Sequence, residues 1–192
     1  MQWTDQEAVE RTVTGDREAY RVLVERHSRN LFRLGFRMTG NEQDAEDVVQ
    51  ETFLRAYRQI RTYDGRASFA TWLFRIAANY SRDLLRSRRR RNELAPITAD
   101  PDAPDVLETV AGNDPTPERL TFSGQVRGML DGALERLSEM ERTAFLLRHY
   151  EGLGIDEISR VLGVEHNAAK QSVFRAVQKL RRALEPAMGG IQ

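Results

Sequence analysis

Five of the six prolines in this chain, at positions 96, 101, 104, 115 and 117, fall within one short span. Proline has no backbone N–H to donate, and its ring clashes with the preceding helical turn. Neither a helix nor a central strand can run through such a stretch. On both sides of it, apolar residues recur three or four positions apart, the period of a helix buried along one face. An all-α chain follows, in two blocks with an irregular connector. From Asn92 to about Thr121 the connector adds Gly112 and scattered acids to its prolines. A structureless run of that length is uncommon inside one compact domain. Two small helical domains are therefore expected, over 1–92 and 126–192, joined by a flexible acidic linker over 93–125. A chain of 192 residues is long enough for this.

Charge divides along the same lines. Formal net charge is zero, but residues 1–92 carry 18 bases against 13 acids, residues 93–125 one base against seven acids, and residues 126–192 ten bases against nine acids. Two mildly basic blocks thus flank an acidic connector, and the total alone says little about partners. Cysteine is absent, which removes disulfides, thiolate chemistry and cysteine-bound zinc. No apolar run reaches the length of a membrane span, and the opening MQWTDQEAVE lacks the basic and apolar segments of a signal peptide. A cytoplasmic location with no membrane insertion is the expectation.

In the first block, Asp16 can cap a helix that closes near Gly40-Asn41. The next segment, DAEDVVQETFLRAY over 44–57, begins a helix whose stripe is Ala45, Val48, Val49, Phe53, Ala56, Tyr57 and Ile60. Its acids either cap and solubilise the helix, as the dipole favours, or face a partner. After a break at Thr62-Tyr63-Asp64-Gly65, Ser68 is placed to cap a third helix with Phe69, Trp72, Leu73, Ile76, Ala77, Tyr80 and Leu84 on one side. That helix ends in five arginines within residues 86–91, a solvated face or a ready phosphate contact.

In the second block, a helix is expected around Val126, Leu130, Ala133, Leu134 and Leu137, and another over Arg142–Leu147, stopped at Glu151-Gly152. A short helix over Ile155–Leu162, a turn at Gly163-Val164 and a longer helix from His166 to Leu184 form the pattern of a helix-turn-helix. Its outward positions His166, Asn167, Lys170, Gln171, Phe174 and Arg175 suit a major groove, and Lys179, Arg181 and Arg182 suit phosphates.

The stretches DAEDVVQETFLRAY and SFATWLFRIAANYSRDLLRSRRR resemble the core-binding and promoter-melting domain of bacterial RNA polymerase sigma factors, in the small extracytoplasmic-function (ECF) group. EGLGIDEISRVLGVEHNAAKQSVFRAVQKLR is similar to that family's minus-35-binding domain. The resemblance implies that Asp47, Gln50 and Glu51, with Asp44 at the edge, contact a coiled coil of the polymerase beta-prime subunit, and that the second domain meets the beta flap. It further implies a pocket for a flipped minus-10 base around Tyr63, Asp64, Gly65, Arg66 and Ala67. Asn79 would lie near that specificity region, and Arg75 and Arg82 on the DNA backbone. Trp72 would either pack in the core, shaping the pocket from beneath with Phe69, or face DNA. On the recognition helix, Lys170, Gln171, Phe174 and Arg175, with Asn167 and Ser172, would contact the minus-35 element. Here the chain departs from the family: Asn167-Ala168-Ala169-Lys170 stands where many members have Gly-Thr-Val-Lys, and Ser172 where an arginine often follows. The acidic linker would thread the polymerase's active-site and RNA-exit path, or serve simply as a tether. Expected partners are core RNA polymerase, promoter DNA and an anti-sigma factor.

Two other readings compete. A stand-alone helix-turn-helix regulator would bind DNA without polymerase, typically as a dimer at symmetric half-sites. An enzyme is disfavoured because His27, His149 and His166 show no paired spacing and the carboxylates form no constellation. No catalytic residue, metal or cofactor is expected.

Overall fold

The computed structural model describes residues 3–94, 132–134 and 136–188, and every regular element among them is helical. Helix α1 (Asp5–Val13) opens on a reciprocal cap in which Thr4 Oγ1 accepts from the Glu7 amide and the Glu7 carboxylate accepts from the Thr4 amide. Helix α2 (Arg17–Thr39) starts at Asp16, which accepts from the Glu18 and Ala19 amides, and stops at Gly40 with φ 70°. Asn41 caps α3 (Glu42–Gln59), which tightens into a 3-10 turn at Ile60–Thr62. Ser68 Oγ accepts from the Thr71 amide and opens α4 (Phe69–Leu94).

Helix α5 (Glu139–His149) follows a helical turn at 132–134 and is capped by Ser138 and Glu141. Helix α6 (Ile155–Leu162) ends at Gly163, φ 67°, and α7 (His166–Met188) completes the helix-turn-helix. Of the expected linker, only Glu93 and Leu94 are described, and they end α4. The rest of it, and most of the helix expected around Val126 and Leu130, lie outside the described residues.

The α2–α3 hairpin is the tightest packing in the first block. A Cβ on Gly35 would meet Ala45 Cα and Val48 Cβ at 3.2 Å, so glycine lets the two helices approach. Leu23, Leu31, Leu34, Val48, Phe69 and Leu73 fill the space between α2, α3 and α4. Helix α1 docks through Asp5, whose carboxylate receives Arg26 and lies 2.9 Å from His27 Nε2.

The two blocks touch. One apolar cluster runs from Leu34 and Met38 of the first block to Ala144, Leu147 and Ile158 of the second. Polar contacts line its edge: Arg142 Nη1 donates to the Met38 carbonyl at 2.9 Å, and Thr71 Oγ1 donates to Glu157 Oε1 at 2.9 Å. Arg37 stacks over the Tyr150 ring at 3.9 Å. The same Glu157 accepts from the Gly154 amide at 3.0 Å through its other oxygen, so one carboxylate both caps α6 and ties it to α4.

Candidate docking and nucleic-acid interfaces

The outer face of α3 has two sides. On one, Gln50, Leu54 and Tyr57 are exposed and border an open groove of about 1040 Å³ between α2 and α3. Tyr20, Val24, Phe32 and Val49 form its floor, and Arg17, Arg29 and Glu46 also line it. Tyr20 is held there by its hydroxyl, which donates to the Phe53 carbonyl at 2.5 Å, and burial pushes its phenol well up from 10.0. On the other side, Glu51 pairs with Arg55 at 2.6 Å, and Arg55 lies over Tyr80 of α4 at 5.0 Å. Asp47 is half-buried between the two sides. Thus Gln50 stands open, Glu51 leans toward α4, and Asp47 lies between them.

Asp44 is not on this surface. It is 5% exposed and its carboxylate meets Arg88, at 2.6 Å from Nη2 to Oδ1 and 2.5 Å from Nη1 to Oδ2. The first turn of α3 points this side chain into the α4 seam, away from the face that carries Gln50. Leu54 and Tyr57, 46% and 47% exposed, are the large apolar residues that the pattern of α3 did not single out as surface. Tyr57 was expected in the buried stripe. Leu54 does fall outside that stripe, a legible signal that it faces away from the core.

The loop before α4 is tied to itself. Tyr63 donates its hydroxyl to the Ala67 carbonyl at 2.7 Å, and Asp64 accepts from the Arg66 amide at 3.1 Å and pairs with the Arg66 guanidinium at 3.3 Å. The half-buried Tyr63 ring lies 5.5 Å from both Phe69 and Trp72. Trp72 is only 7% exposed and supports the loop from the core, against Tyr63 and Phe69. Asp64, Gly65 and Arg66 remain exposed at the rim. On α4, Arg75 and Asn79 are exposed, and the half-buried Arg82 donates to Asn79 Oδ1. Their spacing of four and three places a polar strip along one helix face.

The recognition helix presents Asn167, Lys170, Gln171, Phe174 and Arg175 to solvent. Arg175 Nη2 donates to Gln171 Oε1 at 3.3 Å, and His166 Nδ1 lies 2.7 Å from Asp156 Oδ1, fastening α7 to α6. Ser172 is 8% exposed and donates to the Ala168 carbonyl at 2.9 Å, so its hydroxyl already has a partner. Lys179 is also committed, donating to Glu141 Oε2 at 2.7 Å, and is not free for a phosphate as expected. Desolvation pushes the Glu141 carboxyl up, but Lys179 and the Ser138 hydrogen bonds outweigh it and leave it below 4.5. Among the described residues, no cluster of His, Asp or Glu is placed to hold a metal ion, and no helix is long and apolar enough to cross a membrane.

Comparison with known proteins accounts for both blocks. Sigma-70 region 2 matches residues 23–91, and sigma-70 region 4 matches residues 127–180. The RNA polymerase sigma-H factor of Pseudomonas aeruginosa is 34% identical over 185 residues, covering 96% of this chain and 95% of that protein. The ECF RNA polymerase sigma-E factor of Haemophilus influenzae is 32% identical over 187 residues, covering 97% and 98%. Among solved structures, CnrH in complex with the cytosolic domain of CnrY matches with a TM-score of 0.67 at 27% identity, covering 95% of this chain and 97% of that one. With both regions present in order and relatives above 30% identity along nearly the whole length, the chain belongs to the ECF group of RNA polymerase sigma factors.

Proposed function

We propose that this chain is the promoter-reading subunit of a bacterial RNA polymerase, acting in the cytoplasm. It binds core enzyme through α3, places its region 2 block on the minus-10 element and its helix-turn-helix on the minus-35 element, and aids strand opening by capturing an unstacked base. The observation that carries this reading is the presence of regions 2 and 4, in order, on one chain. Each block also has an open helix face of suitable chemistry. The blocks divide as 1–92 and 126–192, with 93–125 as the tether.

On α3, Gln50 and Asp47 meet the beta-prime coiled coil, with Glu51 behind them and the apolar Leu54 and Tyr57 beside them. Charges at such a face mainly steer encounter and set register. On region 2, the rim of Asp64 and Arg66 with Tyr63 receives the flipped base, since a π-face and a basic groove hold single-stranded DNA. Arg75, Asn79 and Arg82 follow the adjoining strand. On α7, Lys170, Gln171, Phe174 and Arg175, with Asn167, read the minus-35 element from the major groove. The chain performs no covalent chemistry, and binding energy drives melting. CnrH, the similar solved structure, is itself bound to a protein, and an anti-sigma factor that masks these faces is a partner expected here.

Reconstituted transcription with purified core polymerase on a promoter library tests the reading. Asp47→Arg abolishes association with core. Lys170→Ala/Arg175→Ala weakens selection of the upstream element and leaves core binding intact. Two weak DNA readers on one tether gain from each other only when a scaffold fixes their separation. Selection of the same DNA equally well without core would instead make the chain a stand-alone regulator.

A further inference from the structure

The acidic start of α3 and the arginine-rich end of α4 are locked together by a pair that neither face uses. Asp44 and Arg88 lie 44 positions apart, and both carboxylate oxygens face the guanidinium, at 2.6 and 2.5 Å. Asp44 is 5% exposed, and the Asn41 side chain accepts from its backbone amide at 3.0 Å, which fixes the helical turn from which the carboxylate projects. Arg88 belongs to a run whose other members, Arg86, Arg89, Arg90 and Arg91, are all exposed. Arg88 alone of the five is half-buried, its side chain 42% exposed. Farther along the same seam, Glu51 pairs with Arg55 at 2.6 Å and Arg55 covers Tyr80 at 5.0 Å, so polar contacts follow the α3–α4 junction.

One hydrogen bond, from Arg88 Nη2 to Asp44 Oδ1, with Nη1 in charge contact with Oδ2, gives the pair a preferred orientation. Apolar packing tolerates sliding more readily, and a charge pair between two helices can fix their register, a role separate from adding stability. Helix α3 carries Asp47 and Gln50, and α4 carries Arg75, Asn79 and Arg82. Any change in the angle between these helices therefore moves the polymerase-facing side chains relative to the DNA-facing ones.

We propose that Asp44 is a positioning residue: clasped to Arg88, it sets the angle between the polymerase-facing helix and the DNA-facing helix, and it touches neither partner. The proposal rests on the sigma-factor reading above. Its test measures three quantities for each variant in the full chain: melting temperature, affinity for core, and the rate of promoter opening per bound holoenzyme, taken well below the melting temperature. Wild-type protein that bound no core at all would defeat the functional reading itself and would be recognised before any variant was compared.

With Asp44→Asn and with Arg88→Gln, core affinity stays within about twofold and promoter opening slows by about tenfold, as expected for lost orientation rather than lost contact. The double variant Asp44→Asn/Arg88→Gln is no slower than either single one, because both remove the same interaction. Asp44→Leu/Arg88→Met fills the seam with apolar side chains and guards against a variant that simply unfolds. It recovers the melting temperature but not the opening rate. A tenfold loss of core affinity in Asp44→Asn that Arg88→Gln does not share would make Asp44 a direct polymerase contact and overturn the proposal. Recovery of the opening rate in the Leu/Met pair would overturn it equally, by showing that the clasp does no more than hold the fold.

Discussion

Phe174 leaves 63% of its surface in water on a helix whose Ala169 and Ala176 are fully buried. A side chain so placed adds little to folding, so Phe174→Ala should change stability by no more than about 0.5 kcal/mol. Selection of the upstream element by holoenzyme should nevertheless fall severalfold, as competition binding would report. Ser172, two residues earlier, behaves in the opposite way. Its hydroxyl is spent on the Ala168 carbonyl, so Ser172→Ala should leave that selection within about twofold of wild type. The contrast was half legible in the sequence. Helical spacing puts Phe174 and Ser172 on different arcs of α7, but whether the neighbouring helices cover an arc is a tertiary fact. The same gap explains Trp72. Its spacing allowed either a core or a DNA-facing role, and the ring ends up buried beneath Tyr63.

Helix starts and stops were the most legible features. Asp16, Ser68, Gly40 and Gly163 act as their chemistry suggests, because capping satisfies backbone groups within a few residues. Helix α1 is not marked by the apolar periodicity of the first block, although its Thr4 and Glu7 are spaced as a capping box. At Gly35 the consequence of packing is measurable. Gly35→Ala would press a methyl group against Ala45 and Val48 at 3.2 Å, costing about 1–3 kcal/mol as overpacking does. Thermal denaturation would show it, and core affinity should fall too, because α3 is displaced. The junction of α5 and α7 offers a pH test. The Glu141 carboxyl lies below 4.5 when folded, so its contribution is present above that value and is lost as pH falls through the folded pKa. Glu141→Gln should cost about 1 kcal/mol near neutral pH, and the gap to wild type should close in acid. Urea denaturation near pH 7 and near pH 3 would check both arms.

For the whole molecule, the chief result is that region 2 and region 4 share an apolar cluster. Met38 is fully buried where they meet: Arg142 binds its carbonyl, and Thr143 Oγ1 lies 3.4 Å from its sulfur. The free chain should therefore melt in a single calorimetric transition. Met38→Ala should cost about 2–5 kcal/mol by leaving a cavity and should begin to separate the melting of the two blocks. Two transitions in the wild type would mean that the cluster does not couple them. A sequence of two helical blocks and a proline-rich connector suggested separately folded units. The residues that join them, Met38, Thr71, Arg142 and Glu157, follow no local pattern that distinguishes them from ordinary core or surface positions.

Helical period, caps, the proline interruption and the two family motifs were sufficient for the architecture and for the family, since each depends on residues close together along the chain. Side-chain availability depended instead on partners far away in sequence. Asp44 is removed from the surface by Arg88, Lys179 is engaged by Glu141, and Glu157 is drawn onto Thr71. Burial and pairing come from the approach of whole helices, so amino-acid order could nominate the polar faces but only the packed chain selects which of their members stay free.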